Sequence, residues 1–135
     1  MTRNVDWKAK LIDYLAAASH RPFVFGSFDC AIFSFEAVEV MTGLDLHSRY
    51  RNRYSTLAGG IKLVRKDGFR DHVALMAAHF EEIAPSFAQA GDIAVVPTSD
   101  GHALGVVQGE YIYVLGQESL TTVSLLTALR AFRVT

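Results

Sequence analysis

Cysteine is nearly missing from this sequence: one residue, Cys30, in 135. One thiol makes neither an internal disulfide nor a thiolate zinc site, so Cys30 is either a small buried hydrophobe or a group that does chemistry. A surplus of charge is missing too. Thirteen Lys and Arg stand against 14 Asp and Glu, a net charge of −1, and a general nucleic-acid binder would show a basic excess. No apolar run approaches the roughly 18 residues that a membrane span needs. The opening Met1-Thr2-Arg3-Asn4-Val5-Asp6-Trp7 lacks the apolar centre of a signal peptide. Repeats, low-complexity tracts and linkers are also lacking, and 135 residues are enough for one core without staples. The expectation is a single domain over residues 1–135 with no nucleic-acid partner, membrane span, cofactor or metal.

What is present is 50% hydrophobic and changes texture part-way along. The first part reads helical. Asn4 can cap a helix whose face is Trp7, Leu11, Tyr14, Leu15 and Ala18, ending before Pro22. A second starts at Asp29 or Cys30, runs through Phe33, Ala37, Val38 and Met41, and stops at Gly43. Thr56 caps a third over Leu57, Ile61 and Val64, ended by Gly68, and a fourth carries Phe69, Val73, Met76 and Phe80 on one face.

From Gly91 the pattern turns to strands. Ile93–Val96 is followed by a hairpin turn at Ser99-Asp100-Gly101, a return strand Ala103–Val107, a turn at Gln108-Gly109 and a strand over Glu110–Val114. Thr121–Val123 reads as a fourth strand, Ser124–Leu129 as a helical turn and Ala131–Val134 as the last strand. Helices followed by an antiparallel meander define an α+β plan.

Within that plan Cys30 falls in the first turn of the second helix, after an aromatic, extended run Phe23-Val24-Phe25 and the N-cap Asp29. A helix N-terminus offers unpaired N–H groups and the positive end of the dipole, which favour thiolate. A cysteine nucleophile also needs a base. His72 and His79 lie about 10 Å apart along one helix and read as solvated flanks. His20 and His47 sit in loop-like segments without an evident partner. His102 follows a turn and opens a strand containing Gly105, a position that allows close approach, and is the candidate base. The arginines 49, 51 and 53 read as a solvated face, and Asp92 as a turn-fixing residue.

Four stretches carry a family likeness: Phe23-Val24-Phe25-Gly26, Asp29-Cys30, Gly91-Asp92-Ile93-Ala94-Val95-Val96 and His102-Ala103-Leu104-Gly105-Val106-Val107. Their order resembles the NlpC-type cell-wall cysteine peptidases, a compact papain-like family. Trp7, Thr42-Gly43-Leu44-Asp45, Arg51-Asn52-Arg53-Tyr54 and Ala131-Phe132-Arg133-Val134 extend the resemblance to related phage and gene-transfer-agent tail-tip proteins, over nearly the whole chain. The resemblance implies a papain-like domain of helices packed on a small antiparallel sheet. Its function would be a Cys/His hydrolase acting on peptidoglycan stem-peptide amides during genome entry, or a tail-tip module without turnover. It further implies other tail proteins as partners and residence in the virion after assembly in the bacterial cytoplasm.

Carried over residue by residue, Cys30 matches the nucleophile, His102 the general base, and Gln117 the polar group that orients the imidazole. Three positions depart from the family pattern. The histidine stands three residues before Gly105 rather than two, which puts Ala103 in the registered position. A one-residue shift reverses the face of a strand, so a bulge or loop is expected to aim His102. Phe23 stands for the usual tyrosine, and Ala31 for the serine after the cysteine.

Overall fold

A computed structural model describes residues 2–99 and 101–135. Its four helices are α1 (Trp7–Ala18), α2 (Cys30–Thr42), α3 (Leu57–Lys66) and α4 (His72–His79). Six strands follow: β1 (Glu81–Ile83), β2 (Ile93–Thr98), β3 (Gly101–Gln108), β4 (Tyr111–Leu115), β5 (Leu120–Ser124) and β6 (Arg130–Arg133). They form one antiparallel sheet in the order β1-β6-β2-β3-β4-β5. The chain is therefore an α+β protein with its helices packed on an antiparallel sheet. Asp100, expected in the hairpin turn, lies outside the described residues. No helix among the described residues is long and apolar enough to cross a membrane.

The period of two along each strand sorts side chains between the faces. Ile93, Val95, Leu104, Val106 and Phe132 join Leu11, Leu15, Phe33, Val38 and Met41 in the core under the helices. Ala94, Val96, Ala103, Val107 and Ala131 face the other way, where two short 3₁₀ turns, Pro85–Phe87 and Leu125–Thr127, lie near each other. At mid-sheet β3 approaches β4 closely. A Cβ on Gly105 would stand 2.8 Å from the carbonyl oxygen of Tyr113, so a glycine is needed there.

Several expectations give way to longer-range contacts. Asn4 does not cap α1. Its backbone N–H bonds Met41 O at 2.7 Å and its carbonyl accepts from Trp7, leaving Asp6 at the helix start without a side-chain cap. Phe69 precedes α4, because Asp71 takes the cap by accepting from Ala74 N. The run Phe23–Phe28 is a tight turn rather than an extended segment, with Ser27 and Phe28 both donating to Val24 O. The meander is real from β2 to β5, but β6 returns beside β2 and brings β1 with it.

Arg3 ties the two ends of the chain together. It donates to Val134 O, Ala90 O and Asp92 Oδ1 at 2.6, 2.8 and 2.9 Å. Asp92 is buried and also accepts from Gln89 N and Val134 N, so it fixes a tertiary junction as well as a turn.

Candidate active site

Asp29 organises the segment that presents Cys30. Its Oδ1 accepts the Ile32 N–H at 2.9 Å, a helix cap, and its Oδ2 accepts the Gly26 N–H at 3.0 Å. The Tyr54 hydroxyl donates to the same Oδ2. Gly26 lies so close to the backbone of Tyr54 that any Cβ would collide with its carbonyl oxygen, and it holds a φ of +84°. Burial, the Asp29 charge and this hydrogen bond all push the Tyr54 hydroxyl upward in pKa, so it remains a donor. The Arg-x-x-Tyr stretch thus supplies a structural support beneath the cysteine turn, a role invisible in the sequence.

Cys30 is half-buried at the start of α2. Burial pushes its thiol up to about 11, and the neighbouring Asp29 carboxylate adds to the effect. The backbone amides of Leu104, Ala31 and Cys30 itself pull the other way without cancelling it. Helix-terminal placement alone led to the expectation of a thiolate. Desolvation and a carboxylate at the cap outweigh the dipole here, and the resting group is a thiol.

Two cavities meet at this residue. One, of about 500 Å³, is lined by Phe23, Phe25, Ala103, Val114 and Gln117 among others; a second, of about 260 Å³, is lined by Ile61, Asp71, His72 and Leu104 among others. Cys30, Leu57 and His102 line both. All three residues expected at the site, Cys30, His102 and Gln117, therefore line the larger cavity. Phe23 and Phe25 form one wall as an edge-to-face pair with centroids 4.8 Å apart, whereas Phe28 is core.

No bulge aims His102. Its pairing with Pro97 continues the regular register from Thr98↔Gly101 to Ile93↔Val106. Plain alternation puts it on the face of Leu104 and Val106, the helix-bearing side, while Ala103 belongs to the opposite cluster, against which Cys30 also packs. His102 is exposed. His72, read from sequence as a solvated flank, is instead half-buried and lines the smaller cavity with Cys30. Its ring centroid lies 6.2 Å from that of Phe35, and burial lowers its pKa. Only the tertiary packing of α4 turns it inward, and nothing in its local spacing signals that. His79, by contrast, is exposed.

Elsewhere, other polar residues prove to be structural. His47 has a partner after all: its Nε2 lies 2.7 Å from Glu39 Oε1 and 3.4 Å from Asp45 Oδ1. Asp45 is bound into a local turn, accepting from the N–H groups of His47 and Ser48 and from the Ser48 hydroxyl. Arg51 is not solvated but shares Glu36 with Arg21, while Arg49 pairs with Asp67 at 2.8 Å and Arg53 is exposed.

The chain belongs to a family described as Domain of unknown function (DUF6950), whose model matches residues 2–134. A search of the curated proteins found no relative that matches this sequence.

Proposed function

We propose that the chain is a papain-like cysteine hydrolase that acts on amide bonds, most directly those of peptidoglycan stem peptides, as part of a phage tail tip. The observation that carries this reading is the junction of two cavities at a helix-terminal cysteine with histidine in the lining. In the reaction, an imidazole nitrogen takes the Cys30 proton as the sulfur bonds to the amide carbon, and the carbonyl oxygen gains negative charge. The backbone N–H of Cys30 is a donor for that oxygen. Collapse breaks the C–N bond, and the imidazolium proton goes to the departing amine. Water then attacks the thioester, releasing the acid and restoring the thiol.

A resting thiol suits this sequence of steps, since the proton moves only when a base and a carbonyl are both present. Partnership with other tail proteins and residence in the virion follow from the resemblance of the spaced motifs. A second reading, a tail-tip module without turnover, is favoured by Ala103 in the registered histidine position.

The experiment is incubation of peptidoglycan with the protein and with Cys30→Ala, counting newly released amino and carboxyl ends. Release by the native protein alone supports the hydrolase. Equal release, or none from either, overturns it, and detection of the chain in assembled virions then supports the second reading.

A further inference from the structure

Two histidines reach the cysteine cavity, one from β3 and one from α4. We propose that His72 is the group that accepts the proton of Cys30. This inference rests on the Cys/His hydrolase reading and assigns its base.

The two candidates differ in how firmly they are held. His102 is exposed and belongs to the first residues of β3, beside a hairpin turn. His72 is half-buried on the first residue of α4, whose start is fixed by the Asp71 cap, and its ring packs near Phe35 of α2. Proton transfer rewards a fixed imidazole, because each lost degree of freedom is one that the reaction need not remove.

The electrostatics also suit a base. Burial favours the neutral imidazole of His72, which leaves a lone pair free near neutral pH. The groups that bear on it are Asp29 at the cap of α2 and Asp71 at its own cap, both favouring the cation, with Cys30 and His102 across the same cavity. Arg130 of β6 acts on Asp71 from further off, and α3 contributes only Leu57 and Ile61 to the lining. Once the proton moves, two carboxylates stabilise the imidazolium against the opposing N-terminus of α4. Asp29 bears on Cys30 and on His72 alike, holding the thiol protonated at rest and supporting the cation afterwards. Among the described residues neither ring hydrogen-bonds the sulfur, a looseness common in catalytic pairs before substrate binds.

Because Cys30 is the sole cysteine, alkylation by iodoacetamide reports it alone. Its rate is measured from pH 5 to 10 in the native protein, His72→Gln and His102→Gln. The expected result is a loss of about tenfold near pH 7 in His72→Gln, with a change under about twofold in His102→Gln. A loss confined to His102→Gln overturns the assignment and leaves the hydrolase reading standing. Equal rates in all three proteins overturn both. Should His72→Gln fail to fold, NMR of the native protein decides. The pH at which the native alkylation rate rises is expected to match the titration midpoint of the His72 ring, and a rate that follows only the thiolate fraction overturns the proposal.

Discussion

Cys30 and His72 are both displaced from their ordinary protonation behaviour, in directions that can be tested through stability. His72 has a folded-state pKa below its unfolded value. Its contribution is complete above the unfolded pKa of about 6.5 and is lost as pH falls through the folded one. Urea midpoints should therefore rise from pH 5 to pH 7.5, and His72→Gln should flatten that rise. For Cys30 the sign is reversed. Its thiol is raised to about 11, so stability present below the unfolded pKa declines as pH climbs toward that value. Thiolate absorbance near 240 nm should appear with a midpoint near 11 in the native protein. A midpoint below the free-thiol value of about 8.5 would contradict the burial argument. Residue types and spacing revealed the cysteine and one histidine, but not the balance between dipole, desolvation and carboxylate. That balance depends on what packs over the helix end, which no local pattern encodes. His72 escaped for the same reason, since its i+7 relation to His79 suggests one helix face while packing buries one and exposes the other.

The second helix was the most legible element because its signals are local and agree. Asp29 caps it, and Gly43 closes it in the left-handed conformation at φ +83°. Asp29 also holds the Gly26 N–H and the Tyr54 hydroxyl, so one side chain supports three groups. Asp29→Ala should cost about 2–4 kcal/mol, combining a lost cap with two buried donors left without a partner. Asp29→Asn, measured beside it by urea unfolding, should cost less than half as much, and it should lower the Cys30 midpoint by removing the charge. Elements that depend on a distant partner were harder to read. β1 has three residues, two of them exposed, and exists as a strand only through its pairing with β6. Asn4 reads as a cap until Met41 O is there to take its N–H.

At the scale of the molecule, the antiparallel sheet separates two kinds of end. The Cys30 cavities lie at the Gly101–His102 end of β3, whereas the Arg3–Asp92–Val134 junction lies at its Val107 end, where Val107 N–H bonds Asp92 O. The α+β plan was legible from the order of helical and strand-like segments, but the strand order was not, because β6 reaches β2 by a return that no turn motif marks. Arg3→Ala would leave the buried Asp92 carboxylate without its cation, and about 3 kcal/mol of destabilisation is expected. A double-mutant cycle with Asp92→Asn measured by urea unfolding should recover a coupling of at least about 1 kcal/mol.

Arg3 has a further consequence through its grip on Val134. Residues 3 and 134 are neighbours, and five residues of extended β3, about 16 Å, separate that corner from His102. The backbone is thus close to a closed loop, with its seam on the far side from the thiol. A short peptide joining Thr135 to Thr2 would make the chain circular without crossing either cavity, and new ends opened at the exposed Gln117–Glu118 turn or near Ser55 would give a circular permutant with the same topology.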